Sequence, residues 1–147
     1  MWSFKKSIME RLTAEQIVNE TVQWYENNPR SLQIIDVVGS TTCLYLNDEE
    51  QRCAHSRCLT EEALEYILKN NLNNGSAVNV ITQLSDKCHI EKYQGQPDGF
   101  WSELQRLHDT DPFWKRKDNG NELAYKGKCQ AQFIKFKYGT QVKPENV

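Results

Sequence analysis

Residues 32–54 read Leu-Gln-Ile-Ile-Asp-Val-Val-Gly-Ser-Thr-Thr-Cys-Leu-Tyr-Leu-Asn-Asp-Glu-Glu-Gln-Arg-Cys-Ala, and this stretch decides the fold class. Leu32 to Val38 is short and β-branched, which suits a strand. Gly39-Ser40 turns the chain. Cys43-Leu44-Tyr45-Leu46 and Arg52-Cys53-Ala54 then flank Asn47-Asp48-Glu49-Glu50, a polar loop of hairpin length. The stretch predicts a small antiparallel sheet, and helical periodicity flanks it on both sides.

Upstream, Thr13-Ala14-Glu15-Gln16 fits a capping box, in which the hydroxyl serves one orphan amide and Gln16 reaches back to the cap. Ala14, Ile17, Val18, Thr21, Val22 and Tyr25 follow at helical spacing, and Asn27-Asn28-Pro29 stops the helix. Downstream, Thr60 caps a second helix with Glu61 and Glu62 beside its positive end. Ala63, Leu64, Ile67, Leu68 and Leu72 form its apolar stripe, and Asn73-Asn74-Gly75 ends it. Val78 to Leu84 fits a short helix or a strand, and Cys88 to Gly99 reads as a loop. Asp98 caps a further helix carrying Phe100, Trp101, Leu104, Leu107 and His108, which Asp111-Pro112 closes. Phe113-Trp114 falls in a turn. Asn121 to Tyr125 begins like a helix, whereas Gln130 to Tyr138 alternates with period two and predicts a strand. That strand would send Ile134 and Phe136 inward and extend Lys135 and Lys137 together from the other face. The expected class is α+β, a three- or four-stranded antiparallel sheet packed with three or four helices. One domain is expected over 1–147, with loose ends at about 1–12 and 140–147.

The composition agrees. A chain of 147 residues, 38% hydrophobic with 4 Trp, 6 Tyr and 5 Phe, can hold a core without staples. Lys5 and Lys6 come early with no apolar run behind them, so no signal peptide is expected, and no run approaches membrane-spanning length. A cytoplasmic setting follows, and there the five cysteines should be reduced thiols. The net charge of −2 is no signature of a duplex binder, but it conceals a gradient. Asp48 to Glu65 holds six acids against Arg52 and Arg57; Phe113 to Tyr138 holds seven bases against Asp118 and Glu122.

Two groups of motifs appear together. One is Cys43-Leu44-Tyr45, a turn, Arg52-Cys53-Ala54, then Cys58-Leu59-Thr60 opening a helix. The other is Leu104-Gln105-Arg106-Leu107-His108-Asp109. Together they resemble a family of small uncharacterised proteins encoded by phages and prophages. That family carries a Cys-x-Tyr strand, a Cys-Ala strand, a helix and a later Leu-Gln-x-x-His-Asp helix. This chain has Asp48-Glu49-Glu50 where members usually turn on Asp-Gly, and His55-Ser56-Arg57 where they usually place a glycine. The resemblance implies a phage gene product acting in the host cytoplasm, in a host-takeover or anti-defence role. It implies no reaction.

Three constellations could carry function. Cys43, Cys53, His55 and Cys58 are four soft ligands, the set zinc takes in a tetrahedron. The structural reading is that the cysteines fill the core across the hairpin. Cys43, Cys53 or Cys88 with His89 or His108 would be needed for thiol catalysis, but Cys88-His89 and His108-Asp109 are chain neighbours, which diverge on a helix. Trp114, Lys115, Arg116, Lys117, Tyr125, Lys126, Lys128, Lys135 and Lys137 set cations beside flat rings, which suits an acidic partner or an anionic ligand such as a nucleotide, and the expected contacts are Trp114, Lys115, Arg116, Lys117, Lys135 and Lys137. The adjacent pairs Phe100-Trp101 and Phe113-Trp114 either expose one ring each or clasp one core. With no phosphate loop, nucleophile elbow or metalloprotease motif present, the leading reading is a non-catalytic binding protein with no cofactor. Its partner would be a host protein or a small anion, with no membrane and no duplex. The alternatives are a small Cys/His enzyme and a zinc-stabilised module.

Overall fold

Thr13 starts the first helix by the predicted device. Its Oγ1 accepts the Gln16 amide at 3.1 Å and the Gln16 side chain accepts the Thr13 amide at 2.9 Å. The computed structural model describes residues 10–34, 41–73 and 77–139, and of 32–34 and 41–43 only the backbone. The predicted loose ends therefore lie largely outside the described residues. The described order is α1 (Ala14–Glu26), β1 (Leu32–Ile34), β2 (Thr41–Cys43), α2 (Glu61–Lys69), α3 (Ala77–Leu84), α4 (Asp98–Asp109), β3 (Trp114–Lys117), β4 (Gly120–Leu123) and α5 (Tyr125–Tyr138). None of these helices is long and apolar enough to cross a membrane.

The fold is α+β, but the predicted sheet of three or four strands is corrected. The described strands form two separate antiparallel ladders, β1 with β2 and β3 with β4. Five α-helices are described, one more than the upper expectation. The expected hairpin around Asn47 is reduced to one bridge, Leu46 to Arg52. Beyond it the chain winds into a 3₁₀ turn at Ser56–Cys58 instead of extending. Asn47 holds the loop: its Oδ1 accepts the amides of Glu49 and Gln51 at 3.0 and 2.8 Å. A ladder is not needed once a side chain satisfies those donors.

The larger correction is at the C-terminal end. Asn121 lies in β4 instead of opening a helix, and residues 130–138 belong to α5 instead of a strand. Asn121 explains the first: buried, it donates to the carbonyls of Tyr25 and Asn28 at 2.9 and 3.0 Å, pinning the β3–β4 hairpin to the end of α1. Gly120 permits that approach, because a Cβ there would lie 2.3 Å from the Glu26 carbonyl oxygen.

Among the described residues the interior has two apolar clusters. The first joins Ile17, Val18 and Tyr25 of α1, Phe100, Trp101, Leu104 and Leu107 of α4, and Ile134 of α5. The second joins Tyr45, Cys53, Leu59, Leu64, Ile67, Val80 and Cys88. Leu68, placed in the buried stripe by spacing, is exposed. Phe100 and Trp101 are both fully buried, Phe100 edge-on to Tyr138 of α5 and Trp101 stacked on His89, so that pair clasps the core.

Candidate functional site

The six predicted contact residues do not form one face. Trp114 is only 7% exposed, and its indole N–H donates to the Leu107 carbonyl at 2.7 Å, so the ring belongs to the core. Lys115, Arg116 and Lys117 are exposed on β3. Arg116 and Lys117 border a cleft of about 570 Å³ shared with Arg30, Asn27, Asn119 and Glu49. Lys135 borders the groove against Asn19, Val22 and Glu26 of α1. Lys137 lies across α5, 3.8 Å from Glu103 of α4. On a strand these two lysines would share a face; two residues apart on a helix they stand roughly 200° apart.

What α5 does present is a stripe the period-two reading concealed. Gly127, Ala131 and Ile134 face the core. On the opposite side Tyr125, Cys129, Gln132, Phe133 and Phe136 recur at helical spacing and are all exposed. Tyr125 is 80%, Phe133 47% and Phe136 86% exposed. By the same rotation of about 100° per residue, Lys126 and Lys137 flank one edge and Lys128 and Lys135 the other. The Lys137 ammonium lies 5.6 Å from the Phe133 ring. An aromatic line bordered by cations on both edges is a docking geometry, with apolar anchors at its centre and charge at its rim.

Among the described residues, the predicted zinc ligands do not converge either. The Cys43 side chain lies outside the described residues. Cys53 Sγ is engaged with Ser56 at 3.4 Å, and Cys58 Sγ points to the Ala54 carbonyl at 3.6 Å. His55 turns the other way. Its Nε2 lies 2.8 Å from His89 Nε2 and its Nδ1 2.7 Å from the Tyr45 hydroxyl. His89 Nδ1 faces two acceptors of Asp86, the carboxylate at 2.9 Å and the carbonyl at 3.0 Å, so it carries a hydrogen. One proton then lies between the two Nε2 atoms, and the chain Tyr45–His55–His89–Asp86 is satisfied throughout.

Backbone pairing creates this meeting. Thr60 N–H donates to Cys88 O and Ile90 N–H to Cys58 O, both at 2.9 Å, around a Leu59–His89 bridge. Trp101 closes the site from α4, stacked on His89 at 4.3 Å and tilted over His55 at 5.1 Å. Burial holds the His55 pKa well below its ordinary range, so that ring is neutral. His55, Cys88 and His89 are the group of metal-ligating side chains that meets among the described residues, with ligand atoms within 4.8 Å of one another.

The buried thiols among the described residues are not prepared as nucleophiles. Burial pushes Cys58 and Cys88 each up to about 12 and raises Cys53 as well, the reverse of what thiol catalysis requires. His108 and Asp109, in the last turn of α4, do touch despite adjacency, Nδ1 to Oδ1 at 2.7 Å. Their role is to hold the chain: the His108 carbonyl accepts Arg30 Nε at 2.7 Å, and Arg30 also pairs with Asp111. Sequence reasoning counted Tyr125 in the basic and aromatic C-terminal region but sent Phe136 inward, and it missed the exposed line that Tyr125, Phe133 and Phe136 form and His89 as the partner of His55. The first carried a signal, the spacing 125, 129, 132, 136; the second carried none. No protein-family model, curated protein or solved structure matches the chain.

Proposed function

We propose that this chain is a non-catalytic binding protein whose α5 surface docks an acidic, amphipathic segment of a partner protein. The observation that carries this reading is the exposed line Tyr125–Phe133–Phe136 between two pairs of lysines. Three large rings left in water at helical spacing are costly in solubility and gain only by being covered. The lysines on both edges select an occupant with carboxylates on both sides of its apolar face. The resemblance to phage and prophage proteins supports a host macromolecule as the source of that segment. Lys115, Arg116 and Lys117 would then serve as steering charge on the neighbouring hairpin.

Fluorescence anisotropy with a synthetic acidic amphipathic helix tests the reading. Binding should occur and should weaken on the order of thirtyfold in Phe136→Ala, the loss of a hot-spot ring of about 2 kcal/mol. A matched peptide with lysines in place of its acids should not bind. Binding instead to anionic lipid vesicles or to a single-stranded oligonucleotide, with none to the acidic peptide, would overturn it.

A second reading, a small anionic ligand, is favoured by one observation: Arg30, Arg116 and Lys117 all border the cleft beside the hairpin turn. Glu49 on the same wall opposes an anion, and Arg30 is already committed to Asp111. A nucleotide screen scored by thermal shift decides it; no shift with any nucleoside phosphate removes it.

A further inference from the structure

The histidine pair is more than a filled core. Both rings are anchored from behind, His55 through Nδ1 by Tyr45 and His89 through Nδ1 by Asp86. The two Nε2 atoms lie 2.8 Å apart, and His55, His89 and Cys88 each bring a ligand atom within 4.8 Å of the other two. An imidazole whose far nitrogen is held by a carboxylate or hydroxyl is the arrangement that metal-binding histidines use, since the outer partner fixes the ring and its tautomer. We propose that His55 Nε2, His89 Nε2 and Cys88 Sγ form a site for a transition-metal ion that accepts imidazole and thiolate together, zinc above all.

Small movements would close the site: the sulfur must come to about 3.6 Å from each nitrogen, and the ligand atoms now lie within 4.8 Å of one another. Two zinc–nitrogen bonds of about 2.0–2.1 Å at a tetrahedral angle place the nitrogens about 3.3 Å apart, so the rings must part by roughly half an ångström. They now lie 2.8 Å apart with one proton between them. On loading, that proton moves to His55 Nδ1, where the Tyr45 oxygen accepts it, and both Nε2 lone pairs face the ion. The Cys88 thiol gives its proton to solvent and binds as thiolate. One proton is released per ion bound, and no electron moves. The fourth position is left to water or a small anion. The ligands come from the turn before Ser56–Cys58 and from the segment after Asp86, which the Leu59–His89 bridge holds together, so a bound ion would lock that crossing. This assignment is independent of the α5 reading and stands or falls without it.

Cobalt(II) added to the full-length protein, purified under reducing conditions and stripped with chelator, tests the site. A thiolate-to-cobalt charge-transfer band should appear and saturate at one ion per chain, and zinc should displace it. Cys88→Ser should abolish the band while circular dichroism stays native, whereas Cys53→Ser and Cys58→Ser should keep it. Asp86→Asn should keep the band and weaken binding by about ten- to a hundredfold, since it frees the His89 ring. No band, a band retained in Cys88→Ser, or a band lost in Cys53→Ser would each overturn the assignment. Should Cys88→Ser fail to fold, alkylation of the wild type followed by mass mapping serves instead. Zinc protecting Cys88 selectively supports the site; protection elsewhere or nowhere removes it.

Discussion

His108 shows how one buried side chain ties stability to pH. Its Nδ1 bonds Asp109, its Nε2 accepts the Ser31 amide at 3.4 Å, and the Tyr25 ring lies edge-on at 4.8 Å. Burial lowers its pKa below the ordinary 6.5, with Asp109 pulling the other way. Above that ordinary value the ring is neutral in both folded and unfolded chains and contributes no slope. As the pH falls below it, the unfolded chain takes up a proton that the folded chain refuses, so stability drops, by at most about 1.4 kcal/mol per pH unit. The unfolding free energy should therefore fall between neutral pH and the folded pKa, and His108→Gln should flatten part of that fall. Equal slopes in denaturant titrations of the two proteins would show that His108 is not the group. Gly127 makes a second residue-scale point. Alanine there would ordinarily favour the helix by about 1 kcal/mol. Its Cβ, however, would lie 2.1 Å from the Phe113 carbonyl oxygen and 2.8 Å from Leu123 Cδ2. That carbonyl is fixed by the Ala124 amide at 2.9 Å and cannot step aside. Overpacking of about 1–3 kcal/mol wins, so Gly127→Ala should lower the melting temperature by several degrees; a rise would mean that α5 packs less tightly against the Phe113 turn.

At the scale of elements, α5 separates two readings of the same nine residues. On a strand Ile134 and Phe136 share the buried face; on this helix Ile134 is fully buried and Phe136 stands out in water. Ile134→Ala should cost about 2–5 kcal/mol by leaving a cavity, while Phe136→Ala should stay within about 0.5 kcal/mol. Comparable losses from both, measured in urea, would reinstate the strand. The reason for the misreading is physical. Period-two and helical patterns differ only when one face is polar, and α5 carries apolar residues on both its core side and its outer side, so neither period dominates. Where a helix had one apolar face and a side-chain cap, as in α1, the sequence sufficed down to the capping hydrogen bonds. The β3–β4 hairpin escaped because its anchor is Asn121 reaching the end of α1, a contact between residues 96 positions apart for which local pattern holds no trace. The candidate surfaces divide the same way. That the C-terminal quarter is basic was legible, but which rings it exposes depends on helix rotation. That His55 and His89 meet depends on a single backbone bridge spanning thirty-four positions from ring to ring.

At the scale of the molecule, the two apolar clusters meet at those histidines. Tyr45 belongs to the second cluster and Trp101 to the first, and His55 contacts both, through the 2.7 Å hydrogen bond on one side and the tilted ring on the other. The junction is polar inside an apolar interior, so it is favourable only while every donor and acceptor is matched. Tyr45→Phe leaves the volume nearly unchanged but orphans His55 Nδ1, which water cannot reach. The expected cost is about 1–3 kcal/mol, more than deletion of an exposed hydroxyl would bring. Because the junction is shared, the loss should appear in both clusters at once. Cys58 lies in the first cluster and Cys88 in the second, both buried, so pulsed alkylation along a denaturant series reports each cluster separately. In the wild-type chain the two thiols should become reactive at one midpoint, and in Tyr45→Phe at one lower midpoint. If Cys88 opened well before Cys58 in either protein, the clusters would be two units with a weak seam, and the matched hydrogen bonds between them would not be what joins the fold.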